Sequence, residues 1–352
     1  MENIKLLYLY DIFNDLPQSA LLEFVSFLEF TDVVALYNSN KKIKVALLSK
    51  NIIKLYVRCG YITEKSRKFY YKYMINYKEL ENTIVNELSH YTIEKNQNVY
   101  KTILLLCQHE LSTNPSSSFS KSTEEISRDL DRTFSTEHFA KGEGKIQLKN
   151  VLSALSFIRP EIGYCQGMNY IAGAFIHFFN DDEFSFWIFL YLIDNCELSS
   201  LYLKNMPDYQ IRLYQLNYFL DKYLSPLYQH FSTHQIDLDI FFSKWIITLF
   251  ASYLPFSTLD KVLDVFLIDK WKSVFKFSIA FLTFIYEKII NMDLNAMTKY
   301  IREHSYNLHA DFEKIKITYL KLKITNKRIR ELKEDFFMEE VRKKVQVNII
   351  YI

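Results

Sequence analysis

The sequence predicts an all-α protein, and three observations carry that prediction. Glycine and proline number only 6 each in 352 residues, so the residues that break helices and build tight turns are scarce. Apolar residues recur at helical spacing over long stretches. No stretch alternates polar and apolar long enough to make a sheet. The chain is 49% hydrophobic and 16% aromatic, enough to bury a large core and unlike a disordered composition. Its length suits one large domain or two unequal ones.

From the N-terminus, Leu21, Leu22, Phe24, Val25, Phe27 and Leu28 mark one helix, and Asp32 caps a second that carries Val33, Val34, Leu36 and Tyr37. This Leu-Pro start, leucine-rich helix and "FLEFTDVVALY" resemble an F-box, a helical module that docks ubiquitin-ligase adaptors; a plain helical extension has the same pattern. Gly60 opens a Tyr/Lys-rich helix, and "VYKTILLLCQHEL" is a later apolar one. Residues 112–122, "STNPSSSFSKS", read as a flexible surface loop. Ser122 and Glu125 then form a capping box that starts the next helix. After the loop "KGEG", Leu148, Val151, Leu152, Leu155 and Ile158 lie on one face of a helix over 145–159. Helix follows helix to about residue 300, punctuated by Pro207, Pro226 and Pro255. The expected division is 1–58, a helical and F-box-like segment; 60–310, the main domain; and 311–352, a basic helical segment.

Charge excludes more than it selects. There are 43 basic and 41 acidic residues, a net charge of +2, which gives no case for a nucleic-acid partner. Between Glu313 and Gln346 stand 11 Lys/Arg against 6 Asp/Glu, a mixture that reads as a solvated helix. The four cysteines, Cys59, Cys107, Cys165 and Cys196, show no CxxC or zinc spacing, so free thiols are expected. The first residues lack a signal-peptide pattern. No apolar run approaches the ~20 residues of a membrane span. The expectation is a cytoplasmic protein without a transmembrane segment, peripheral on endomembranes through a partner.

Signatures of common enzymes are absent: there is no P-loop, GxGxxG, HExxH, GxSxG or kinase set. Two stretches could carry chemistry. In "KSTEEISRDLDRTF", Ile126, Asp129 and Arg132 are spaced by three, so Asp129 and Arg132 are neighbours on a helix surface. That is either an ordinary exposed ion pair or a guanidinium held in one orientation. In "EIGYCQGMNYIAG", Gly163, Gly167 and Gly173, three of the chain's 6 glycines, surround Gln166. That is either a tight turn between helices or an amide brought close to another macromolecule.

Together and in order, the two stretches resemble the TBC domain, the family of GTPase-activating proteins for Rab GTPases. The family's Ile-x-x-Asp-x-x-Arg followed by Thr-Phe stands here as "ISRDLDRTF", and its Tyr-x-Gln-Gly-Met as "YCQGMN". A third aromatic-rich region stands as "KWIITLFASYLP", and the resemblance covers about residues 60–300. Ser135 replaces the usual Pro after Arg-Thr-Phe, and Tyr70 and Tyr71 stand where Trp is frequent. The resemblance implies a multi-helix TBC-type domain that is not a hydrolase by itself but completes the active site of a Rab-type small GTPase. It implies Arg132 and Gln166 as the catalytic pair, and no cofactor of its own, since GTP and Mg are bound by the partner. Asp129, Tyr164, Gly167 and Asn169 are expected to support the pair, and Thr133, Phe134 and Met168 to touch the partner. The competing expectation is a catalytically idle GTPase-binding or ubiquitin-ligase adaptor protein.

Overall fold

In the computed structural model, residues 17–39, 51–89, 98–134, 142–306 and 308–350 are described, with Tyr91, Thr136 and Phe139 between them. All regular structure among them is helical. The F-box-like reading falls partly on 1–16 and 40–50, outside the described residues, as does Ser135.

The helices are α1 (Gln18–Ser26), α2 (Phe30–Ser39), α3 (Ile52–Arg58), α4 (Glu64–Ile75), α5 (Tyr77–Glu87) and α6 (Val99–Thr113). Next come α7 (Ser118–Thr133), α8 (Glu143–Ile158), α9 (Met168–Phe179), α10 (Asp182–Asn195) and α11 (Ser199–Tyr202). The remainder are α12 (Pro207–Thr233), α13 (Asp239–Ile247), α14 (Phe256–Asp269), α15 (Trp271–Ile289), α16 (Leu294–Tyr306), α17 (Leu308–Lys321) and α18 (Asn326–Ile350).

Local chemistry sets many of the ends. Thr63 and Ser66 form a capping box at the start of α4. Asp181 accepts the N–H of Phe184 at the start of α10. Pro207 sits in the first turn of α12, where its missing N–H costs nothing. Pro226 lies inside the same helix, which kinks at Leu224 (φ −138°, ψ 47°).

The core has two centres. α8 packs against α6, α7, α9 and α10, and α15 packs against α12, α14 and α17. The apolar face of α8 expected from the sequence, Leu148, Val151, Leu152, Leu155 and Ile158, is buried. Tyr70 and Tyr71 are fully buried where α4 meets the core. Ion pairs tie the elements together. Arg67 joins α4 to α14 through Asp264 and Asp260. Arg159 joins the end of α8 to Glu87 and Asp194. The N-terminal helices share this core: Val25, Phe30, Ile52 and Val57 are fully buried, and Arg58 binds Asp269 at 2.6 Å. At the other end, α18 docks on α12 through Gln215 to the Ile329 carbonyl at 2.7 Å and Lys333 to Asp208 at 3.2 Å. Cys59, Cys107, Cys165 and Cys196 are free thiols.

Two local expectations are corrected. Helix α7 starts at Ser118, not at Ser122–Glu125: Ser117 is the N-cap and accepts the N–H of Ser120. The Ser-rich stretch is therefore not a flexible loop. Helix α6 runs to Thr113, and Phe119 is buried in the first turn of α7. Burying one phenylalanine outweighs the small difference between competing serine caps.

Candidate functional site

Arg132 comes from the last turn of α7. Phe119, Thr123, Ile126, Asp129 and Thr133 recur at helical spacing and are all buried, so this face is fixed against the core. Arg132 points off it, with its side chain 54% exposed. A cation in the last turn also suits the helix dipole.

Asp129 is the hinge of the arrangement. It is buried, and its carboxylate is fully engaged. Oδ1 accepts from Arg132 Nε at 2.8 Å and Nη2 at 2.5 Å, and Oδ2 accepts from the Tyr164 hydroxyl at 2.6 Å. A buried carboxylate needs such donors to offset its lost hydration. Burial, and then the bond to Asp129, push the Tyr164 hydroxyl far above its ordinary pKa, so it remains a donor.

Gln166 sits in the turn between α8 and α9 and is exposed. Its neighbours are not: Tyr164, Gly167, Met168 and Asn169 are all buried. The glycines around it answer to crowding within the chain. Gly163 (φ +61°) and Gly167 (φ +116°) hold left-handed backbone, which side chains other than glycine strain to adopt. A Cβ on Gly163 would lie 2.7 Å from Ser122 Oγ, and one on Gly167 only 2.6 Å from Ile247 Cγ2. Inside α9, a Cβ on Gly173 would meet the Phe134 ring at 2.7 Å. The glycines thus let the turn pack against α7 and the α13 end; the approach they permit is internal.

A second set of bonds joins the two segments. The Gly167 N–H donates to Asn169 Oδ1 at 3.0 Å, and Asn169 Nδ2 donates to Thr133 Oγ1 at 2.9 Å. The Thr133 hydroxyl donates to the Asp129 carbonyl at 2.7 Å. Residues on both sides of Gln166 are therefore connected to the segment that carries Arg132. Arg132 and Gln166 line one open cleft with Glu125, Arg128, Asp129 and Tyr164.

Three expectations of partner contact change. Thr133 and Met168, expected to touch a partner, are buried; Thr133 spends its hydroxyl inside the chain, and Met168 fills the core beneath the turn. Phe134 is half-buried, its ring against Phe139, Tyr170 and Phe256, so most of it anchors the end of α7.

Other residues shape the site without having been singled out in the sequence. The Tyr170 hydroxyl donates to the Arg132 carbonyl at 3.3 Å. Ile247 packs on Gly167, and the Tyr202 hydroxyl holds the Ile247 carbonyl at 2.8 Å. Beyond Ile247, Leu249 and Phe250 take left-handed backbone (φ +46° and +67°). The aromatic-rich third region was visible, but its contact with Gly167 requires the fold. A second groove on the other side of Arg132 is lined by Phe134, Tyr170, Tyr253 and Phe256. Among the described residues no group of three His, Cys, Asp or Glu could hold a metal ion.

Known proteins place this arrangement in context. Residues 64–290 match the Rab-GTPase-TBC domain model. The chain is 29% identical over 220 residues to the Rab GTPase-activating protein eat-17 of Caenorhabditis elegans, covering 62% of this chain and 25% of that one. It is 32% identical over 157 residues to human TBC1 domain family member 1, covering 44% of this chain and 13% of that one. The match thus spans a quarter or less of these relatives' length. The fold is similar to the Chlamydomonas flagellar RabGAP TBC domain, with TM-score 0.62 and 19% identity over 76% of this chain and 83% of that one. It is also similar to the Ypt/Rab-GAP domain of Gyp1p, with TM-score 0.61 and 16% identity over 76% and 90%.

Proposed function

The chain belongs to the Rab-GTPase-TBC domain family, and on that premise we propose that it is a GTPase-activating protein for a Rab-type small GTPase. One observation carries the reading: an exposed, oriented guanidinium and an exposed amide share one open cleft.

GTP hydrolysis spreads negative charge over the transferring phosphoryl group and needs a water held in line. An arginine supplied in trans neutralises that charge and is worth ~10³–10⁵ in rate, roughly 4–7 kcal/mol of barrier. Arg132 takes this part. Its planar fork engages phosphoryl oxygens in a way that a lysine cannot. Asp129 holds it from behind, so little orientation is left to fix when the partner arrives. Gln166 orients the attacking water in place of the GTPase's own switch glutamine. GTP and Mg belong to the partner in this scheme. Tyr164, Gly167 and Asn169 position Gln166 relative to Arg132. The role in vesicle trafficking and any endomembrane association follow from the partner; among the described residues no helix is long and apolar enough to cross a membrane. The ubiquitin-ligase adaptor reading gains no support from the comparisons.

The test is a screen of purified Rab proteins for phosphate release with and without this chain. The expected outcome is strong acceleration with at least one GTPase, lost on Arg132→Ala. A chain that binds a Rab in its GTP form and accelerates none is the idle binder instead.

A further inference from the structure

The cleft holds a second arginine. Arg128 lies one helical turn before Arg132 and lines the same opening as Arg132 and Gln166. The two guanidinium groups are held differently. Arg132 is clamped on a buried carboxylate through Nε and Nη2. Arg128 has its side chain 72% exposed and pairs at 3.6 Å with Glu124, itself 67% exposed. An exposed i,i+4 pair of this length is weak and easily exchanged. Clamping matters for the chemical step, where orientation is decisive. Capture of an anionic partner needs only a cation free to leave a weak, exposed carboxylate such as Glu124, and not a fixed rotamer.

The rest of the cleft sharpens the contrast. Asp129 offsets Arg132, and Glu125 supplies a further carboxylate at the edge. Arg128 is thus the cation there whose charge no buried carboxylate holds, facing the side from which a partner's bound triphosphate would come. Resting on the proposed function, we infer that Arg128 is a steering residue. It attracts the negatively charged, nucleotide-bearing face of the GTPase and acts on association, not on the transfer step. Arg132 and Arg128 then divide the work: one waits in place, the other draws the partner in.

The experiment is single-turnover GTP hydrolysis by a responsive Rab, titrated with the full chain carrying Arg128→Ala, Arg128→Lys or Arg128→Glu. Titrations run at low and high salt, with Arg132→Ala alongside. Arg128→Ala is expected to raise the half-saturating concentration about five- to tenfold at low salt, with the saturated rate unchanged. Arg128→Lys should restore most of it, since a point charge suffices. Arg128→Glu should be worse than Ala, and the differences should shrink at high salt. Half-saturation unchanged in both Ala and Glu variants, while Arg132→Ala abolishes stimulation, overturns this inference and leaves the proposed function standing. A fall in the saturated rate also overturns it, since Arg128 would then act in the transfer step. Should Arg132→Ala retain full stimulation, the activating function stands but Arg132 is not its arginine, and the salt-dependent Arg128 effect is read separately from the titration midpoint.

Discussion

At Asp129 one carboxylate serves two donors that come from different segments, Arg132 from its own helix and Tyr164 from the turn before α9. Replacing it with Asn keeps the shape but sets an amide N–H₂ against one of those donors. Asp129→Asn is expected to lower saturated stimulation at least ~10-fold through loss of arginine orientation. The check is the stimulated rate beside a circular-dichroism melt; a normal rate with intact folding would show that the clamp is dispensable. Gly167 sets the other limit. Gly167→Ala forces a Cβ to 2.6 Å from Ile247 Cγ2 on a backbone of φ +116°. It should destabilise by about 1–3 kcal/mol and move Gln166. Urea denaturation measures the first, and stimulated hydrolysis the second. The Asp129–Arg132 pair was legible because its spacing is local, three residues apart on a helix, whereas the pairing of Arg132 with Gln166 across 34 residues was read only from the resemblance to the TBC domain. The contacts of Gly167 with Ile247 and of Gly173 with Phe134 span up to 80 residues of chain, and no local pattern encodes them.

Among the elements, α3 is held to α14 more firmly than an appended segment requires. Arg58 covers Asp269, which is buried and also bound by Lys272 and the Tyr319 hydroxyl. Arg58→Ala is expected to cost about 2 kcal/mol, because Asp269 keeps only part of its compensation. Denaturant midpoints test this; no change would mean that α3 is loosely attached. Lys276 of α15 lies in the same region, its ammonium 4.4 Å from the Tyr319 ring centre. Burial lowers its pKa from 10.5 to about 8, and the nearby Asp269 opposes that shift. The folded chain therefore binds this proton less tightly than the unfolded chain. Stability contributed by the neutral amine is full above pH 10.5 and is lost as pH falls to about 8. Lys276→Met should stabilise at pH 7 and flatten the pH dependence over that window. Equal stability gains at pH 7 and at pH 10.5 would contradict it. The start of α7 was not legible, because eight serines and threonines compete from Ser112 to Thr123 and burial of Phe119 decides among them.

For the whole molecule, scarce glycine and proline, helical apolar spacing and the lack of strand alternation together predicted the all-α fold that the described residues show, and the helices are tied by ion pairs whose partners lie far apart in sequence. Arg67 reaches Asp264 across 197 residues and Arg58 reaches Asp269 across 211. Such pairs are invisible to periodicity, which explains why the N-terminal helices read as a separable segment although the structure buries Val25, Phe30, Ile52 and Val57 with the rest. The central claim is that this framework presents a cation and an amide to another protein's nucleotide. It is tested most directly on a responsive Rab whose own switch glutamine is replaced by alanine. The wild-type chain should still accelerate GTP hydrolysis by that GTPase, and Gln166→Ala should abolish the effect. If the wild-type chain stimulates only the GTPase that retains its glutamine, Gln166 does not position the water, and the claim is wrong.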